Sequence, residues 1–140
     1  MSAFGVYLHF PWCRKRCPYC DFAVEVGPPP HTEYLVAILR ELDARAAQFS
    51  GSLVSIYLGG GTPSLWEPGC IAAAIAAIGE RFGATAREVT IEANPTDCSD
   101  ANLNRASGSR AMTKSTNALQ RLHTPSKRTM GESIAVSLAR

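Results

Sequence analysis

Leu53-Val-Ser-Ile-Tyr-Leu-Gly-Gly-Gly-Thr-Pro-Ser-Leu-Trp66 is a short apolar run that stops on three glycines and a Thr-Pro pair. Its β-branched and aromatic content over residues 53–58 predicts a strand buried in a parallel sheet. Parallel α/β architectures receive ligands at the C-terminal ends of their strands, which is where the glycines fall. Gly59, Gly60 and Gly61 carry no side chain, so a ligand can approach the backbone closely there. A glycine triplet by itself is more often a plain turn, and the flanking sequence has to decide.

Upstream, residues 4–10 alternate Val6, Leu8 and Phe10 with Tyr7 and His9, a strand pattern that Pro11 ends. The run continues Tyr7-Leu-His-Phe-Pro-Trp-Cys-Arg-Lys-Arg-Cys-Pro-Tyr-Cys-Asp-Phe22 and places Cys13, Cys17 and Cys20 as C-x-x-x-C-x-x-C. A closed structural zinc site takes four protein ligands, and iron–sulfur clusters usually take four thiolates. Three close thiolates point to a metal centre with one position open to a small molecule. Two alternatives stand beside this one: a zinc site completed by His9 or Cys70, and thiols that bind nothing. Gly27-Pro-Pro-Pro30 is a rigid stop. After it, Thr32 is expected to N-cap a helix with Leu35, Ile38, Leu39, Leu42, Ala46 and Phe49 on one stripe.

Downstream of the glycines, Pro68 suits the first turn of a helix over residues 69–82, with Ile71, Ile75 and Ile78 as its apolar face and Gly83 as its C-cap. Cys70 on this helix reads as a small buried hydrophobe. Glu88-Val-Thr-Ile-Glu-Ala-Asn-Pro95 then supplies a third strand over 89–93, with Glu92 on the same rim as the glycines. The order β-α-β-α-β predicts an α/β fold with parallel strands.

The chain has 140 residues and a net charge of +2, which gives no reason to expect a nucleic acid partner. Five cysteines is an odd number and fits a disulfide framework poorly. The longest apolar run, residues 71–78, is mostly alanine and falls short of the ~18 residues a membrane span needs. No basic n-region opens the chain, and clustered thiols suit the reducing cytosol, so a cytoplasmic protein is expected. A complete β/α barrel takes ~200 residues or more, so this chain has room for about three βα units and reads as a fragment or a damaged coding sequence. The boundary falls at 95. Residues 96–140 form a basic segment of different character, with no acidic residue over 101–131, expected to be irregular or disordered and partly helical near 115–140.

The cysteine motif, Gly59-Gly-Gly-Thr-Pro63 and Ile91-Glu-Ala-Asn-Pro95 together resemble the opening of a radical S-adenosylmethionine (SAM) enzyme. The nearest likeness is to the oxygen-independent coproporphyrinogen III oxidase-like group, which includes HemW-type heme chaperones. The resemblance implies the first βα units of a partial (β/α)6 barrel over residues 1–95. It implies that Cys13, Cys17 and Cys20 ligate three irons of a [4Fe-4S] cluster whose fourth iron is chelated by SAM. An electron donor for the cluster follows, and reductive cleavage of SAM would yield methionine and a 5′-deoxyadenosyl radical. By the same resemblance Gly60, Gly61 and Thr62 contact the amino acid end of SAM, Glu92 its ribose hydroxyls, Tyr7 the bound SAM, and Tyr19 the neighbourhood of the adenine. Arg121 aligns with an arginine that contacts a second SAM in some members. Each has a plainer reading: Glu92 as a solvated strand-end acid, the tyrosines as packing aromatics, Arg121 as a solvated helix arginine.

Two departures from the family pattern matter. The expected strand ending in Gly-Val-Gln is replaced by Ala106-Ser-Gly-Ser-Arg-Ala-Met-Thr113, yet Ala118-Leu-Gln-Arg-Leu-His-Thr124 again resembles the family's helix, as a local reading-frame slip that later recovers would produce. True coproporphyrinogen III dehydrogenases resemble C-x-x-x-C-x-x-C-x-C, and the last position is Phe22 here. The pattern Cys17-Pro-Tyr-Cys-Asp-Phe22 favours the HemW-type branch, associated with heme binding, over the oxidase itself. Whether the chain is an enzyme or a non-enzymatic heme carrier stays open at this level.

Overall fold

In a computed structural model, described for residues 3–94, 97, 105–106 and 136–139, the alternation of the first segment becomes β1 (Ala3–Phe10), with Phe4, Val6, Leu8 and Phe10 buried. Two short strands follow, β2 (Trp12–Cys13) and β3 (Glu25–Val26), then α1 (His31–Ala46). Next come β4 (Ser52–Gly60), a single 3-10 turn (Pro63–Leu65), α2 (Pro68–Arg81), β5 (Glu88–Ile91) and β6 (Val136–Ala139). The main sheet has the order β5-β4-β1-β6. β4 lies parallel to both β1 and β5, as the β-α-β-α-β pattern predicts. β6 runs antiparallel along the other edge of β1. Val136–Ala139 is thus a strand within the stretch expected to be partly helical. The remainder of the segment after 106 lies outside the described residues.

Pairing register divides the sheet into two faces. Val6 lies beside Ile56 and Leu8 beside Leu58, and all four are buried in one core with the helices. The alternate positions pair Tyr7 with Tyr57 and His9 with Gly59, so these point to the opposite face. A bulge at Phe4/Gly5 inserts Val54 into β4, which lets Leu53 and Ile56, three apart, both reach the core.

α1 buries Tyr34, Ile38, Leu42 and Ala46, one residue per turn. The expected stripe is corrected in part: Leu35, Leu39 and Phe49 are only partly buried, and Tyr34 leads the face. Thr32 is also not the cap. Pro30 holds that position, and the Tyr34 N–H donates to its carbonyl at 2.9 Å. Proline fixes φ at a helix entrance without needing a side-chain bond. α2 starts on Pro68, as predicted, and buries Cys70, Ile71, Ala74 and Ile78. Gly83, at φ +60°, closes it: the Gly83 N–H reaches the Glu80 carbonyl at 3.2 Å and the Ala84 N–H the Gly79 carbonyl at 3.0 Å. That pair of bonds is a Schellman cap. His31 ties the starts of the two helices together, since its carbonyl accepts from Trp66 Nε1 (3.1 Å) and its Nδ1 from the Glu67 N–H (3.0 Å).

Candidate metal centre and ligand rim

The three thiols belong to one excursion that leaves the sheet after Phe10 and returns before α1. Its base is a two-stranded parallel ladder, Trp12 beside Glu25 and Cys13 beside Val26. The Glu25 N–H donates to the Pro11 carbonyl at 2.8 Å and the Gly27 N–H to the Cys13 carbonyl at 3.3 Å. Inside the loop, a turn closes with the Cys20 N–H on the Cys17 carbonyl at 3.0 Å. Cys13, Cys17 and Cys20 are free and half-exposed. Around the base of the loop, Phe10, Trp12, Tyr34 and Trp66 pack edge-to-face, tilted or stacked, with ring centroids 4.8–5.6 Å apart. The Tyr34 hydroxyl also donates to the His9 carbonyl.

The donor set fits a cluster with three protein ligands better than a closed zinc site. His9, one candidate fourth ligand, has both ring nitrogens engaged: Nε2 lies 3.1 Å from the Ala23 carbonyl and Nδ1 3.1 Å from the Tyr7 hydroxyl. A carbonyl only accepts, so Nε2 carries the proton, Nδ1 accepts, and Tyr7 donates. Cys70, the other candidate, is buried on α2, and burial followed by the nearby Glu67 pushes its thiol up. Among the described residues no three His, Cys, Asp or Glu side chains form a group that suits a single metal ion. Thiols on one cube each take a separate iron, so they converge less tightly than the ligands of a single ion.

The glycine rim abuts this loop. The Gly61 N–H donates to the Phe10 carbonyl at 2.6 Å and the Thr62 N–H to the Trp12 carbonyl at 2.8 Å. Thr62 Oγ1 approaches Cys13 Sγ at 3.5 Å. Gly60 adopts φ +112°, and a Cβ there would lie 2.5 Å from His9 Nδ1. At Gly61 it would lie 2.7 Å from the Pro11 carbonyl. The second and third glycines are therefore required by the chain's own packing against the thiol loop.

Glu92 follows β5, its N–H on the Leu58 carbonyl at 2.9 Å. Its carboxylate is held by the chain: Tyr57 donates to Oε1 at 2.6 Å and the Gly60 N–H to Oε2 at 3.2 Å. The Tyr57 ring stacks on Tyr7 at 5.9 Å and 23°. Burial, and then the negative charge of Glu92, pushes the Tyr7 phenol up to about 12. Tyr57 moves the same way, through burial first and then its bond to Glu92.

Cys13, Gly60, Gly61, Thr62, Glu92 and Tyr7 thus meet on one rim, with Cys17 and Cys20 on the loop above it. Tyr19 stands apart at 86% exposure, and a hydrogen bond with Cys17 raises its phenol. Arg121 and Cys98 lie outside the described residues. Sequence reasoning missed Tyr57 and a clasp between loops. Asp97 accepts from Arg14 at 2.7 Å and from Ser64 Oγ at 3.3 Å, while Ser64 Oγ accepts the Asn94 N–H at 3.0 Å. Strand parity would have found Tyr57, since it shares a face with Gly59; the clasp joins residues distant in the chain and left no local signal.

Comparison with known proteins agrees with this geometry. The sequence profile of the radical SAM superfamily matches residues 7–112. The heme chaperone HemW of Escherichia coli is 39% identical over 95 residues, covering 65% of this chain and 25% of that protein. Radical S-adenosyl methionine domain-containing protein 1, mitochondrial, of Bos taurus is 37% identical over 103 residues, covering 71% of this chain and 23% of the relative. Among solved structures, the coproporphyrinogen III oxidase HemN of Escherichia coli superimposes with a TM-score of 0.64 at 29% identity, over 74% of this chain and 24% of that one. The chain spans about a quarter of the length of the relatives it matches.

Proposed function

The chain belongs to the radical SAM superfamily, and from that premise we propose that it holds a [4Fe-4S] cluster on Cys13, Cys17 and Cys20 and binds SAM along the adjoining rim, in a protein of HemW-type heme handling. The observation that carries this reading is the seating of the thiol loop on the glycine rim, through Gly61 to Phe10, Thr62 to Trp12 and Thr62 to Cys13. When bound, the cluster and SAM supply one-electron cleavage of the sulfonium C–S bond. The chain's own residues position and bind. Gly60–Thr62 stand at the strand ends beside the thiol loop, where the amino acid end of the nucleotide would lie, and Glu92 offers acceptors to its ribose. Tyr7 stands beside them on β1, and the exposed Tyr19 would lie near the adenine. An external donor reaches the half-exposed thiol loop to deliver the electron. Arg121 is retained as a candidate contact for a second SAM.

Phe22 supports the heme-handling branch over the oxidase, because the oxidase pattern puts a cysteine there. The HemW relatives also match at higher identity than HemN does. Heme, or a porphyrin, is the proposed cargo. Free thiols and a cluster that oxygen attacks favour a reducing, cytoplasmic setting. Among the described residues no helix is long and apolar enough to cross a membrane. The radical SAM core over 1–95 is proposed as the working unit here, and the 140-residue chain alone is not expected to turn over, because it spans about a quarter of the length of the relatives it matches.

Electron paramagnetic resonance on the reduced, cluster-loaded chain tests the reading. SAM should shift the cluster signal, heme should titrate to saturation, and dithionite should release no 5′-deoxyadenosine. A cluster signal indifferent to SAM contradicts the binding role. Deoxyadenosine release contradicts the inactivity of the chain alone, and no saturable heme binding contradicts the cargo.

A further inference from the structure

Tyr57 has no part in the reading above, yet it makes the shortest hydrogen bond to the carboxylate on the rim. We infer that Tyr57 is a positioning residue for nucleotide recognition: its hydroxyl orients Glu92 so that the carboxylate presents two matched acceptors to a vicinal ribose diol. This rests on the reading that Glu92 faces the ribose of the bound nucleotide.

The geometry supplies the reason. A carboxylate has about four lone-pair sites, two on each oxygen. Tyr57 occupies one on Oε1, at 2.6 Å, and the Gly60 N–H occupies one on Oε2, at 3.2 Å. Among the described residues one site remains on each oxygen, and neighbouring hydroxyls of a 2′,3′-diol suit two acceptors so placed. A carboxylate held on one oxygen alone would swing about its last torsion, which is broad. Fixing it beforehand removes an ordering cost from binding.

Tyr57 is itself fixed. Its ring stacks on Tyr7, and the two are register neighbours on β4 and β1. Gly59 lies between these groups: a Cβ there would sit 2.7 Å from Tyr57 Cε1 and 3.2 Å from both Glu92 Cδ and Tyr7 Cε2. The first glycine of the triplet is needed to make room for the Tyr57–Glu92 pair, a different task from that of Gly60 and Gly61.

Equilibrium dialysis of SAM and its 2′-deoxyribose analogue against the cluster-loaded chain tests this, with Tyr57→Phe, Glu92→Gln and the double variant. Tyr57→Phe keeps the ring and its stack and removes only the hydroxyl. The unaltered chain should favour SAM by about tenfold, the scale of a hydrogen bond to a charged group. Tyr57→Phe should lose most of that preference with its iron content unchanged, and the double variant should be no worse than Glu92→Gln. Tyr57→Phe keeping the full preference overturns the proposal, as does additivity of the two substitutions. Parallel loss of iron and of affinity for both nucleotides gives Tyr57 a merely structural role and overturns it too. If Glu92→Gln keeps the preference, or the unaltered chain has none, the ribose reading of Glu92 fails and takes the proposal with it, a result the Glu92 variant identifies by itself.

Discussion

Gly60 and Gly69 are the same residue under opposite constraints. At Gly60 φ is +112° and a Cβ would meet the His9 ring at 2.5 Å. That ring is pinned at both nitrogens and cannot step aside. Gly69, in the first turn of α2, has nothing within 4 Å of its Cβ position. Gly60→Ala should therefore cost on the order of 1–3 kcal/mol, whereas Gly69→Ala should be neutral or stabilise by up to about 1 kcal/mol. Urea unfolding of the two variants measures the contrast, and equal effects would deny it. Tyr7 gives a second test at this scale. Its phenol ionises near 10.0 in the unfolded chain and is pushed up to about 12 in the fold, chiefly by burial. The folded state holds that proton more tightly, so the stabilisation is full below pH 10 and falls away as pH rises through about 12. Ultraviolet titration at alkaline pH, comparing the native chain with Tyr7→Phe, should show one late-ionising phenol lost in the variant. Loss of a phenol that titrates at the ordinary value would contradict the half-buried placement of Tyr7.

At the scale of elements, the strands and helices were legible because each carries its own period. Val6, Leu8 and Phe10 alternate, and Pro68 and Gly83 bracket α2. Motif resemblance named the cysteines, Gly60, Gly61, Thr62 and Glu92 as candidates, and the fold sets Thr62 beside Cys13 and Gly60 beside Glu92; the ligands they would hold are the proposal made above. What stayed hidden depended on partners far along the chain. The Pro30 cap escaped because a backbone-only entrance leaves no polar side chain to notice. Tyr57 looked like strand filling until register set it beside Tyr7 and under Glu92. The clasp of Arg14, Ser64 and Asp97 joins the thiol loop, the 3-10 turn and the loop after β5. Its arginine is 71% exposed but its aspartate only 7%. An exposed pair contributes ~0–1 kcal/mol, and burial of one partner places this one toward the upper end. Asp97→Asn should thus let the thiol loop open more often and speed loss of iron to a chelator by about threefold. An unchanged rate would show that the loop is held by its β2/β3 base alone.

For the molecule as a whole, the sheet brings its candidate site residues to one end. Phe10 ends β1, Gly60 ends β4 and Glu92 follows β5, so three parallel strands deliver the thiol loop, the glycines and the carboxylate to a common rim. The helices cover the face that carries Val6, Leu8, Ile56 and Leu58. Tyr7 and Tyr57 lie on the other face, near the rim. This division follows from parity in β1 and β4 and from the bulge at Phe4/Gly5, which brings Leu53 back into phase with the core. Pairing along β6 protects one edge of the sheet.

Anaerobic reconstitution of the 140-residue chain with iron, sulfide and zinc in competition, followed by metal and sulfide analysis, tests the claim on which the rest depends. The expected result is about four iron and four sulfide per chain, lost when Cys13, Cys17 or Cys20 is replaced by serine and kept when Cys70 is. Uptake of zinc without iron or sulfide, or cluster binding indifferent to those three thiols, would contradict it.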